Sequence, residues 1–221
     1  MLVNKAIKKG SVSEELYLLK AEIKLAADKY NDALDDFNVI LEADEEIENI
    51  ESYIKIAKLK SKYGFYDKAL DDIKLVMKLD SKNPEVYKIR ADIRADREDF
   101  SGALSDYDKA IKYNSLNASY FNARGILKFK YGYAIHDSIY DFNKAIEIDS
   151  KFAEAYLYRG NFRERMKLYN DALKDYETAI KINPYYKEVF DERGEMLLKM
   201  GKEEEAKMDF DKVLQLSGTY F

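Results

Sequence analysis

The chain has 221 residues, 47% of them apolar and 36% charged, with a formal net charge of −5. That balance excludes a disordered segment and argues against a general nucleic-acid binder, which needs a basic surface to displace counterions from phosphate. No cysteine is present, so disulfides, thiolate metal sites and cysteine nucleophiles are excluded, and the few glycines (9) and prolines (2) predict long helices joined by short loops.

Residues 1–13 have lysines among their apolar residues and no apolar run of signal-peptide length. Val3-Asn4-Lys5-Ala6-Ile7 resembles Phe142-Asn143-Lys144-Ala145-Ile146, so the chain is expected to open inside a helix of an incomplete unit or a cap. No stretch approaches 18 consecutive apolar residues, so no membrane span is predicted and the cytoplasm is the expected compartment.

From there one phrase repeats. It begins at Ala33, Ala69, Ala103, Ser138, Ala172 and Ala206, in steps of 36, 34, 35, 34 and 34 residues. The clearest copies are Ala103-Leu104-Ser105-Asp106-Tyr107 and Ala172-Leu173-Lys174-Asp175-Tyr176. The period divides the chain into units 14–49, 50–83, 84–117, 118–152, 153–186 and 187–218, each predicted to be two helices. In the third unit these are expected near Tyr87–Arg97 and Phe100–Tyr113, where Phe100, Ala103, Tyr107, Ala110 and Ile111 fall on one helical face. Polar loops such as Asp80–Pro84, Asn114–Asn117 and Asn183-Pro184 stop one helix and cap the next.

The columns predict the packing. A large aromatic opens each first helix (Tyr17, Tyr53, Tyr87, Phe121, Tyr156, Phe190), and a small residue follows four later (Ala21, Ala57, Ala91, Gly125, Gly160, Gly194). Small residues let helix backbones approach, and aromatics fill the remaining volume. Tyr156 and Tyr176 are both expected to be buried. Arg90, Arg124, Arg159 and Arg193 precede the small column, and Asp36, Asp72, Asp106, Asp141, Asp175 and Asp209 precede the second-helix aromatic. Arg and Asp are expected to pair between packed helices; the alternative is an anion-binding stripe of arginines.

These columns, with the second aromatic at Tyr30, Tyr66, Phe100 and Tyr169, resemble the tetratricopeptide repeat family over residues 14–218. The Arg-Gly pairs look like a bacterial-type variant of the repeat. There are departures: longer turns after Asp44 and around Tyr133 to His136, and Glu203 in place of the last aromatic. The resemblance implies an all-α fold, a right-handed αα-superhelix whose first helices line a concave groove. It also implies a protein-binding scaffold rather than an enzyme, needing no cofactor.

On that geometry the groove residues lean acidic. Asn122, Ile126, Phe129, Leu157, Asn161 and Glu164 are the expected partner-binding patch, with Lys88 and Asp92 contributing from the third unit. The acids favour a protein or peptide partner with basic residues. The Lys and Asn pattern with which one subgroup clamps acidic chaperone tails is missing: Leu157, Glu192 and Asp92 stand where it needs Lys or Asn. His136 is the only histidine and is expected in a surface turn, with no companions for a metal or a triad. The second functional reading is structural. The chain is expected to be cut from a longer array, or to stack on another copy through exposed repeat ends as a homo-oligomer, or to be capped by its own terminal residues.

Overall fold

The computed structural model describes residues 14–27, 29–43, 50–132 and 135–218. The expectation for residues 1–13, and that for the turn after Asp44, lie outside the described residues. Twelve helices stand among the described residues and pair into six helix-turn-helix hairpins. In the first compact unit they are α1 (Glu14–Ala26) with α2 (Tyr30–Ala43), α3 (Ile50–Lys62) with α4 (Tyr66–Leu79), and α5 (Pro84–Asp96) with α6 (Phe100–Tyr113). In the second they are α7 (Ala118–Lys130) with α8 (Ile135–Ile148), α9 (Ala153–Arg165) with α10 (Tyr169–Ile182), and α11 (Lys187–Lys199) with α12 (Glu203–Leu216). Within the first unit α3 also touches α5; within the second, α7 touches α9 and α9 touches α11.

The first-helix aromatics do not open their helices. Each helix begins three residues earlier, so Tyr53, Tyr87, Phe121, Tyr156 and Phe190 sit in its second turn. Most are buried, but Tyr156 is only half-buried, against the sequence expectation. Its hydroxyl reaches the Ser150 carbonyl at 3.4 Å, at the edge of solvent. His136 also corrects its expectation: it lies exposed in the first turn of α8 rather than in the preceding turn.

The small column marks where the second-helix aromatics enter. In the second unit the Phe142, Tyr176 and Phe210 rings lie over Gly125, Gly160 and Gly194, so close that a Cβ there would meet the ring at 2.8, 2.6 and 2.8 Å. In the first hairpin Ala21, Leu25, Ala33, Phe37 and Ile40 form one buried cluster with Ile56 of the next. The corresponding cluster around Tyr176 joins Leu157, Ala172, Ala179, Val189 and Met196.

Beside each hairpin's core lies a buried aspartate. Arg90 grips Asp106 with two nitrogens, at 2.7 Å each, and Arg124, Arg159 and Arg193 hold Asp141, Asp175 and Asp209 in the same way. These arginines are committed to the fold and do not form a free anion-binding stripe. Each guanidinium also lies over the aromatic three residues before it: Arg90 over Tyr87, Arg124 over Phe121, Arg159 over Tyr156 and Arg193 over Phe190. The planar fork suits both faces of that sandwich.

A second basic column adds to the pairing. Lys24 reaches Asp36, Lys60 reaches Asp72, Arg94 reaches Asp106, Lys128 reaches Asp141 and Arg163 reaches Asp175, all at 2.6–2.8 Å. Among the described residues Asp209 has no such second partner, because Leu197 occupies that column. Lys24, Lys60, Arg94, Arg163 and Leu197 also accept, through their carbonyls, the amide of the residue five later. That 6→1 bond closes the helix end, and after Lys60, Arg94, Arg163 and Leu197 the residue before its donor takes the left-handed conformation. Glycine fills that position at Gly64 and Gly201, whereas Glu98 (φ 62°) and Lys167 (φ 61°) hold it without glycine's freedom.

Between hairpins, Asp80, Asn114, Asp149 and Asn183 each accept the amide two residues on, which turns the chain after the second helix. Asn83 and Asn117 cap α5 and α7 with their side-chain oxygens. Pro184 lies in the turn before α11, not in the helix. No helix among the described residues is long and apolar enough to cross a membrane.

Candidate partner-binding site

In the first unit the exposed charges of the first helices largely match each other. Lys62 pairs with Glu22, Lys58 with Glu85, and Lys88 with Asp92. Asp92 also accepts the hydroxyl of Tyr107 at 2.7 Å, and Tyr66 donates to Asp96. Lys88 and Asp92, expected to face a partner, are thus occupied with their own neighbours.

The second unit is different. There α7, α9 and α11 line a cavity of about 670 Å³, bounded by Phe129, Leu157, Tyr158, Asn161 and Tyr186 together with charged groups at both ends. Of the expected patch, Phe129, Leu157, Asn161 and Glu164 come together there; Ile126 is half-buried on α7 and does not line it. Asn122 does not either. It is 2% exposed, and its amide donates to Glu154 of α9 at 2.9 Å. Leu157 is only 4% exposed and packs in the core cluster with Val189 and Met196. The reason is common to both. Within the second unit α7 touches α9 and α9 touches α11, so a mid-helix position aimed along that face is covered by the following hairpin.

Two lining residues are braced from behind. The Tyr176 hydroxyl crosses from α10 to lie 2.8 Å from the Asn161 side-chain oxygen and 3.0 Å from Glu164. Burial, and then the Glu164 charge, push this phenol up, so it stays a proton donor. The other oxygen of Glu164 accepts from Lys199 at 2.9 Å. Leu157, Asn161 and Glu164 are therefore fixed parts of the wall.

Other lining groups have no such commitment. Glu188 and Glu192 on α11, Lys130 at the end of α7 and Arg165 at the end of α9 make no hydrogen bond or ion pair among the described residues. Burial, reinforced by the charges of Glu195, Glu164 and Asp191 and opposed by Lys199, raises the pKa of Glu192. Tyr186 is shifted upward by burial and by Glu154, Tyr158 and Glu188. The two cations rest on rings, Lys130 over Tyr158 at 5.6 Å and Arg165 over Phe129 at 5.7 Å. Tyr158 in turn stacks on Phe142. Sequence reasoning missed Tyr158 and Tyr186. The latter reads as loop, and the former falls beside the Arg column with nothing to mark it as cavity-lining. Among the described residues no group of acidic or histidine side chains is arranged to hold a metal ion.

Residues 153–186 and 188–220 match the tetratricopeptide repeat. No curated protein matches the chain. Solved structures share the fold. The crystal structure of MamA is 23% identical with a TM-score of 0.61, over 74% of this chain and 95% of that one. YrrB, described as a TPR protein with an unusual peptide-binding site, is 20% identical with a TM-score of 0.59, over 83% and 93%. A tetratricopeptide repeat protein from Parabacteroides merdae ATCC 43184 is 18% identical with a TM-score of 0.67, over 91% and 79%.

Proposed function

We propose that this tetratricopeptide-repeat protein is a binding scaffold whose second unit seats a segment of a partner protein in the cavity between α7, α9 and α11. Tetratricopeptide-repeat proteins generally mediate protein–protein interactions. The observation that carries the reading here is the cavity itself. It combines an apolar and aromatic wall with two carboxylates, Glu188 and Glu192, that make no hydrogen bond or ion pair among the described residues. Such a mixture suits a peptide, whose backbone and side chains bring both kinds of contact. The peptide-binding site named for YrrB is a further support, at the level of fold.

A pull-down tests it, with the wild-type chain beside a Glu188→Lys, Arg165→Glu variant. Both residues are exposed lining positions, so the variant should fold, as circular dichroism would verify. A partner held by the wild type and lost by the variant supports the scaffold reading. Equal capture by both removes the cavity from the account.

A second reading is self-association through the last hairpin. Met208 on α12 is 72% exposed, with Leu198 and Leu214 also open to solvent on the same hairpin. Analytical ultracentrifugation of the wild type and of Met208→Lys distinguishes it: a dimer lost on substitution supports this reading, and a monomer at all concentrations removes it.

A further inference from the structure

The charges of the cavity are sorted along its length. Glu154 and Glu188 are the second residues of α9 and α11, and Glu192 lies one turn further in. Lys130 and Arg165 are the last residues of α7 and α9. The contacts of Asn122 with Glu154 near the starts and of Phe129 with Arg165 at the ends set α7 and α9 side by side and running the same way, and Glu164 to Lys199 joins the ends of α9 and α11. One end of the cavity is therefore acidic; at the other, Lys199 matches Glu164 and leaves Lys130 and Arg165 as the basic excess, with Leu157, Tyr158 and Asn161 between.

The helix dipoles run the other way. Acids at helix starts and bases at helix ends are locally favourable, which offers a bland explanation of the sorting. It does not account for Glu192, which lies beyond the first turn, is half-buried, and has the acidic neighbours Glu195, Glu164 and Asp191 against the one cation Lys199, itself held by Glu164. Nor does it account for the contrast with the first unit, where Lys58, Lys62 and Lys88 each find a carboxylate on a first helix. A half-buried carboxylate among like charges, at the wall of an open cavity, is best satisfied by a cation from outside the chain.

Resting on the scaffold reading above, we infer that the cavity binds a partner segment in one direction. A basic side chain of that segment sits against Glu188 and Glu192, and an acidic one against Lys130 and Arg165. The span from Glu154 to Arg165 is eleven residues of helix, about 16 Å at 1.5 Å per residue. An extended segment covers that in about five residues. The occupant is thus a peptide with a lysine or arginine and an aspartate or glutamate about five positions apart, with apolar residues between them facing Phe129 and Tyr158. Order matters: the same residues reversed would put like charges together at both ends.

An array of ten-residue peptides tests this, with basic and acidic residues placed systematically in both orders. It is probed with the whole chain and with two charge-removing double variants, Glu188→Gln, Glu192→Gln and Lys130→Gln, Arg165→Gln. Amide hydrogen exchange of α9 and α11 locates the binding. The expected binders carry both charges in one order, and bind about tenfold or more weaker when reversed, the effect of losing one charge-assisted hydrogen bond. Each variant should lose a similar factor, at its own end of the peptide only. Peptides that protect α9 and α11 without any charge pattern, or that bind both variants as well as wild type, would overturn the inference while leaving the cavity as a binding site. An absence of any binder that protects these helices would overturn both.

Discussion

The ring of Tyr176 occupies the space where a side chain on Gly160 would begin: a Cβ built there lies 2.6 Å from the ring. The two residues belong to facing helices of one hairpin, and Tyr176 is fully buried. The ring cannot retreat without disturbing its hydroxyl contacts with Asn161 and Glu164, which brace the cavity wall. The close approach of two backbones is thereby tied to the shape of the candidate binding site.

Gly160→Ala should therefore destabilise the chain. Overpacking costs about 1–3 kcal/mol, partly offset by the better helix propensity of alanine, up to about 1 kcal/mol. Thermal unfolding should fall by a few degrees, on the scale of about 2–4 °C per kcal/mol. Tyr176→Phe separates the two roles of the tyrosine. It keeps the ring and removes the brace, so its larger effect should be on partner binding.

The Arg–Asp pairs give a graded prediction. Arg159→Ala leaves Asp175 with Arg163 at 2.6 Å, whereas Arg193→Ala leaves Asp209 with no second base. Stranding a buried charge costs about 3–5 kcal/mol. Arg193→Ala should approach that figure and Arg159→Ala should fall well short of it. Denaturant unfolding of the two variants checks the order, and an equal loss in both would show that the second basic column contributes nothing.

Lys167 offers a stabilising change. It stands at φ 61°, a conformation that glycine adopts freely at the equivalent Gly201. Lys167→Gly should remove about 1 kcal/mol of strain, less the extra freedom glycine gains in the unfolded chain. The melting temperature should rise slightly, and Gly201→Ala should lower it.

Much of this was legible in the sequence because it recurs. Six copies of one pattern reveal the hairpins and the small-residue crossings, and four copies of Arg beside the small residue reveal its pairing with Asp, since chance does not repeat a spacing of residue types so often. The second basic column escaped notice. Lys24, Lys60, Arg94, Lys128 and Arg163 look like ordinary solvated helix residues, and only the fold shows their long stems bringing them to a buried carboxylate. The site was harder for a related reason. A position on a first helix is open or covered according to what the next hairpin places beside it. That is why Asn122 and Leu157, read as open groove, are buried, and why Tyr186, outside the columns that mark the repeat, lines the cavity.

Glu192 links stability to binding through its raised pKa. A carboxyl whose folded pKa lies above its unfolded value favours folding in its protonated form. That contribution is complete below the unfolded pKa and is lost as pH rises through the folded one. At neutral pH the ionised Glu192 therefore works against the fold. Glu192→Gln should melt higher than wild type at pH 7, with the difference shrinking as the pH falls below the carboxylate range. The same variant should bind the partner more weakly. A variant that is both less stable at pH 7 and unimpaired in binding would contradict the role assigned to this residue.

The central claim, that a partner segment sits in the cavity of the second unit, is tested most directly by site-specific photocross-linking. A photoreactive residue replaces Glu188 at the cavity wall in one sample and the exposed Glu177 of α10 in another, each in cells that make the chain. Cross-linking of the same partner from position 188 but not from 177 is the predicted result. Cross-linking from 177 alone, or equally from both, would contradict it and move the working surface to the second helices.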